Sequence, residues 1–178
     1  IHYMDCHFPY FPRKEALKEV SGLNLNLINR IRFLNLYRKK RFSSVFSNVR
    51  LTKEEKSLML TLYRACIKSV DEALGDLINF LEEEGYLERT LLIFTADHGE
   101  EFGEHGYFIT HAQLYDEVIH VPLALYHPDF NPAKIKTQVR LIDIPPTIHE
   151  LLGIPIPKTY RGKSLVPLIN NQYDEDRM

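Results

Sequence analysis

An α/β fold, with a mixed and mainly parallel central sheet flanked by helices, is what this sequence predicts, and three observations predict it. A stretch over residues 52–84 carries apolar side chains at steps of three and four, the period of a helix buried along one face. Two short runs, 91–96 and 121–126, are apolar without polar alternation, as in strands covered on both faces. Helical and strand patterns also alternate along the chain, the order expected of a layered sheet. The 178 residues suffice for one domain with a substantial core.

In chain order, residues 1–12 are rich in proline and aromatics around His2, Asp5 and His7, and read as a loop leaving a strand. A start at Ile1, already inside such a segment, is expected of a piece of a longer polypeptide; neither a basic leader nor an uninterrupted apolar segment opens it. Residues 13–50 fit one or two short amphipathic helices. Arg30, Arg32, Arg38, Lys39, Lys40 and Arg41 make this stretch basic, either as a solvated helix face on an insertion or as a contact for an acidic substrate.

Thr52 followed by Glu55 is a capping-box signature. Leu58, Leu62, Cys66, Val70, Leu74, Leu77, Ile78 and Leu81 then paint one helical face, and Gly85 is a natural stop. The strand over 91–96 should be interior, with this helix packed on one of its faces. Pro122 is tolerable near the start of the 121–126 strand. Residues 139–144 read as a third strand, Pro146-Thr147 as the opening of a helix ending at Gly153, and 154–170 as proline-rich loop with a short turn.

Composition narrows the partners. The formal charge is −2, so nothing global recruits nucleic acid or an anionic membrane, and no run approaches the roughly 18–20 apolar residues that cross a bilayer. Two cysteines, Cys6 and Cys66, form no CxxC knuckle and no disulfide framework; a reducing compartment such as the cytoplasm is compatible with them.

Chemistry concentrates in FTADHGEEFGEHG, residues 94–106. Asp97 and His98 follow the first strand, where ligands bind in open α/β sheets. A carboxylate beside an imidazole offers a hard oxygen and a borderline nitrogen, suited to a divalent cation. Gly99 lets the backbone turn sharply. A solvated turn or a helix N-cap built on Asp97 is the plain alternative. His7, His105 and His111 lie in neighbouring loops.

DxHxPY at Asp5–Tyr10, VDEALGDLINFLEEEGYLERTLLIFTADHGEEFGEHG, HAQLYDEVIHVPLALY, DIPPTIHELLGIPIP and GKSLVPLI together closely resemble the sulfatase family of the alkaline phosphatase superfamily, over residues 1–12 and 60–169. The resemblance implies that Asp97 and His98 hold one divalent cation, calcium first, with manganese, magnesium or zinc as alternatives. It implies that His111 contacts the oxygens of a bound sulfate or phosphate ester, and that His7 faces the ester or its leaving-group oxygen. His7 and His111 are thus the implied catalytic residues, and His105, at a more variable position, a further substrate-binding candidate. The implied activity is sulfate-ester hydrolysis. Phosphodiester or phosphonate monoester hydrolysis, and a degenerate non-catalytic module, are the alternatives.

The family's nucleophile motif, Cys/Ser-x-Pro-x-Arg, is missing: after Cys6 the proline comes at position 9, and Cys66 is followed by Ile-Lys-Ser. The chain therefore looks like the C-terminal part of a single sulfatase-like catalytic domain spanning 1–178, with 13–51 as a helical insertion. Its expected partners are a small-molecule ester and its own N-terminal half, with no nucleic acid or membrane, and an uncovered sheet edge would favour self-association.

Overall fold

The structure, a computed structural model, describes residues 1–22, 35, 51–106, 111 and 113–170. The chain divides into two compact units, Ile1–Leu125 and Tyr126–Met178.

In the first unit, helices α1 (Lys14–Ser21) and α2 (Lys53–Glu83) pack together. α2 begins where its cap predicts. The Thr52 hydroxyl accepts from the Glu55 N–H at 3.2 Å, and the Glu55 carboxylate accepts from the Thr52 N–H at 2.9 Å. Each satisfies a donor that the first turn leaves orphaned. Thr52→Ala is expected to lower stability by about 1 kcal/mol in urea denaturation; an unchanged midpoint would mean that packing alone sets the helix start. The other end closes as a Schellman turn at Gly85, with Tyr86 N–H on the Leu81 carbonyl at 2.8 Å and Gly85 N–H on that of Glu82 at 3.0 Å.

α2 buries Met59, Leu62, Ala65, Cys66 and Ser69, none of them beyond its middle turns. Leu17 of α1, Phe8 and Tyr10 of the opening loop, and Phe102 pack with them in one cluster. Ser69 is fully satisfied there: its hydroxyl donates to the Ala65 carbonyl at 3.0 Å and accepts the Arg13 N–H at 3.2 Å, fixing the entry to α1. The expected stripe over Leu74, Leu77, Ile78 and Leu81 is only half-buried. The helix thus packs the first part of its apolar face against α1 and the aromatic loop.

That strand, β1 (Leu92–Thr95), pairs with β2 (Leu123–Tyr126), and the Thr95 hydroxyl donates to the Pro122 carbonyl at 2.8 Å. A one-turn helix, α3 (Asp116–Ile119), precedes β2. Phe94 is 41% exposed, so β1 is not the covered interior strand its composition suggests. A pleated strand needs a layer on each face for that, and the described residues give a sheet of these two strands. The rest of the basic segment, including Arg30, Arg32 and residues 38–41, lies outside the described residues; α1 is the amphipathic helix seen there. No helix among the described residues is long and apolar enough to cross a membrane.

The second unit is organised by one buried carboxylate. Asp143 takes hydrogen bonds from the Lys163 N–H (2.8 Å), the Arg140 N–H (2.9 Å) and the Arg140 guanidinium (3.2 Å). These bonds bend residues 141–143 into a 3₁₀ turn that runs into α4 (Ile144–Leu151), so the third strand expected over 139–144 does not form. Pro145 and Pro146 add to this, because neither can donate to a ladder and both suit a helix's first turn. α4 stops at Gly153 as read from the sequence, and the short turn in 154–170 is α5 (Val166–Ile169). Burial opposes the charge on Asp143, but the bonds from Lys163 and Arg140 win and hold its carboxyl below the ordinary aspartate value. A depressed native value contributes stability that is complete above the ordinary 3.8 and is lost as the pH falls through the native value. Asp143→Asn is expected to cost about 1.5–3 kcal/mol at pH 7 and to flatten the acid limb of stability below pH 4; an unchanged acid limb would refute the assignment.

Candidate active site

Three segments of the first unit supply the site. The opening loop turns at His7, whose N–H reaches the Met4 carbonyl at 3.0 Å, and is pinned on either side of the Phe8–Pro9 cis bond by buried Phe8 and Tyr10. Tyr10 packs its ring against Tyr63 of α2 (5.4 Å between centroids) and Phe102 (6.0 Å), and Phe102 meets Tyr63 at 5.0 Å. Phe102 belongs to the loop after β1, so the same aromatic cluster anchors the His7 loop and the Asp97–His98 loop. With both held, the rings of His7 and His98 lie 6.2 Å apart, His7 and His111 5.4 Å, and His98 and His111 4.6 Å.

Gly99 makes this loop shape attainable. Its N–H donates to the Val118 carbonyl at 2.7 Å, and a Cβ added there would sit 2.0 Å from the Glu117 carbonyl oxygen. Only glycine fits so close an approach of two backbones.

His98 places Nδ1 2.9 Å from the Gly99 carbonyl. A carbonyl only accepts, so Nδ1 carries a hydrogen, and the neutral ring of that tautomer offers its lone pair at Nε2, the usual arrangement of a metal-ligating histidine. That Nε2 is 3.9 Å from Asp97 Oδ2, and the Asp97 side chain is 80% exposed. Asp97 Oδ1 accepts the His98 N–H at 3.1 Å, and no helix begins there, so the N-cap alternative is not realised.

A second carboxylate completes the cluster. Glu100 is buried, and one ligand atom each from His98, Glu100 and His111 lie within 4.8 Å of one another. Glu100 Oε2 accepts the Tyr10 hydroxyl at 2.9 Å, while Oε1 is buried without a hydrogen-bond donor and sits 3.6 Å from His111 Nδ1. Burial first, and then the Glu100 charge, push the Tyr10 hydroxyl above its ordinary value, so it stays a donor. The Asp97 carboxylate beside His98 Nε2 offers the mixed oxygen and nitrogen donors that fit a divalent cation.

Among the predicted residues, His7, His98 and His111 come together and Asp97 stands beside His98. The contacts of His105 lie elsewhere, with Nε2 3.2 Å from Glu117 and its ring stacked on Tyr115 at 3.4 Å. Glu100 was not foreseen. It is one of several acids in a polar loop, and its sole sequence signal is that it directly follows Asp97-His98-Gly99. Burial pushes the Cys66 thiol up to about 12 and Cys6 to about 11, with Asp5 and Glu100 adding to the latter, so neither is a thiolate nucleophile near neutral pH.

A model of the Sulfatase family matches residues 1–154. The chain belongs to the sulfatase family. This sulfatase-family chain is 37% identical to arylsulfatase K of Xenopus laevis over 120 residues, which are 67% of the chain and 22% of that protein. A solved phosphonate monoester hydrolase from Silicibacter pomeroyi superposes with a TM-score of 0.67 at 26% identity, over 93% of this chain and 32% of that one. A protein solved in complex with its substrate D-glucosamine-2-N,6-O-disulfate gives 0.60 at 29% identity, over 80% and 29%. These likenesses establish the α/β fold. The sulfatase-family chain spans less than a third of each of these proteins; for the hydrolase the share is 32%.

Proposed function

We propose that this chain is the C-terminal part of a single sulfatase-like catalytic domain that hydrolyses sulfate esters, with residues 13–51 as a helical insertion. The observation that carries the reading is the meeting of His7, His98 and His111 around buried Glu100 just beyond β1, in a chain of this family. Asp97 and His98 would hold one divalent cation, calcium first, with manganese, magnesium or zinc as alternatives. When bound, the ion neutralises charge developing on the ester oxygens.

The chain's own side chains do the rest. His111 directs an imidazole N–H at an ester oxygen, where a preformed donor in a partly dry site is worth more than in water. His7 faces the leaving-group oxygen and gives it a proton as its bond to sulfur breaks. His105 is a further substrate-binding candidate by family position. The nucleophile would come from the N-terminal half of the same polypeptide, whose strands would pair with β1 and β2. Without that half the exposed Phe94 and Tyr126 favour self-association. The formal charge of −2 argues against a nucleic-acid partner.

A second reading, phosphonate monoester or phosphodiester hydrolysis, is supported by the likeness to the Silicibacter pomeroyi hydrolase and by the Asp97–His98 pair. The test is turnover of an aryl sulfate and an aryl phosphonate by the complete polypeptide, after chelation and after adding back calcium, magnesium, manganese or zinc. Faster sulfate turnover supports the first reading and faster phosphonate turnover the second. Turnover of neither, with every metal, overturns both.

A further inference from the structure

Glu100 is 8% exposed, yet neither the metal pair nor the ester-facing histidines account for its burial. Burying a carboxylate costs several kcal/mol unless it is paired, so its two oxygens should each have a purpose. One is taken by the Tyr10 hydroxyl at 2.9 Å. Tyr10 is 1% exposed and wedged between Tyr63 and Phe102, so this donor cannot swing away and Glu100 is held from behind. The other oxygen points to His111, 3.6 Å from Nδ1, an ion-pair rather than a hydrogen-bond separation. Nδ1 and Nε2 lie on different edges of an imidazole, so a partner fixed at Nδ1 determines where Nε2 is aimed.

Resting on the sulfatase reading of the site, we propose that Glu100 is a positioning residue that aims His111 at the ester, with Tyr10 holding the carboxylate in place. The chain Tyr63–Tyr10–Glu100–His111 then carries the rigidity of α2 into the site. The same Glu100 oxygen falls within the three-residue donor group, so direct metal ligation is the rival role. Against it, the Tyr10 hydroxyl already donates to one oxygen and the His111 ring edge faces the other.

Glu100→Gln, Tyr10→Phe and the double variant, made in the complete polypeptide, separate the two. Gln keeps the shape and still accepts from Tyr10, and Phe keeps the packing, so both variants should fold, as thermal melting will report. The expected loss in kcat/KM toward an aryl sulfate is about 10–100-fold for Glu100→Gln. Competitive inhibition by inorganic sulfate should weaken by about tenfold, and calcium affinity by calorimetry should stay within about twofold. Tyr10→Phe should shift both kinetic readouts the same way by less, and the double variant should be no worse than Glu100→Gln. Unchanged sulfate inhibition in a folded variant would overturn the proposal. So would calcium affinity that falls in step with the rate, which is the signature of a ligand. If the unaltered polypeptide hydrolyses no ester, the functional reading fails on its own, and the crystal structure of Glu100→Gln decides the positioning role. A displaced His111 ring supports it and an unmoved ring overturns it.

Discussion

Replacing Asp97 with alanine is expected to lower kcat/KM of the complete enzyme toward an aryl sulfate by about a thousandfold, corresponding to roughly 4 kcal/mol of lost charge stabilisation. Stability should change by no more than about 0.5 kcal/mol, because the side chain is 80% exposed and, among the described residues, its hydrogen bond and ion-pair contact are with His98. The combination separates function from architecture: a residue that matters only for folding would move the melting temperature, whereas a ligand moves the rate and the metal affinity. A rate loss below about tenfold, or calcium affinity unchanged by calorimetry, would remove Asp97 from the ion-holding role. If the nucleophile lies in the N-terminal half, as proposed, the chain by itself should turn over neither ester, and turnover by the chain alone that vanishes in Asp97→Ala would refute the division of labour.

Gly99→Ala is expected to cost about 2–4 kcal/mol of stability, through overpacking against backbone and weakening of the Gly99–Val118 hydrogen bond. The new methyl would lie 2.0 Å from the Glu117 carbonyl oxygen, and a carbonyl locked in a chain that is about to enter β2 cannot rotate aside as a flexible side chain would. Because His98 is the preceding residue, catalysis should fall with stability. Gly75→Ala in α2 is the matched control: nothing lies within 4 Å of its added Cβ, and alanine there should stabilise by about 0.5–1 kcal/mol. Denaturant titration of both variants gives opposite signs if backbone proximity is the cause. Equal small effects would mean that the β1–α3 approach relaxes freely.

Local chemistry was the legible part of the sequence. Thr52 with Glu55, the stops at Gly85 and Gly153, and the polar loop after the first apolar run each depend on neighbours a few residues away, and each forms as read. The convergence of His7 with His98 was legible only through the resemblance to the sulfatase family, since spacing along a chain says nothing about distance across it. The misreadings were tertiary. Val139–Ile144 has strand-like composition, but the Asp143 carboxylate finds backbone donors at Arg140 and Lys163 and wins the segment for a turn. The apolar run at β1 was read as covered because composition reports what a strand could bury, not which layers surround it. Glu100 was hidden for the same reason: its burial is decided by Tyr10, which stands far away in sequence.

That separation has a kinetic meaning. The Tyr10–Glu100 hydrogen bond joins residues 90 positions apart. Closing a flexible loop of that length costs about 4 kcal/mol in chain entropy, more than one hydrogen bond returns. The bond therefore cannot gather the site; the burial of Phe8, Tyr10, Tyr63 and Phe102 around α2 must do so first. During synthesis, then, the polypeptide carries His7 long before it carries a site. Until the chain has emerged past residue 111 and the aromatic cluster has closed, His7 has neither His98 nor His111 beside it.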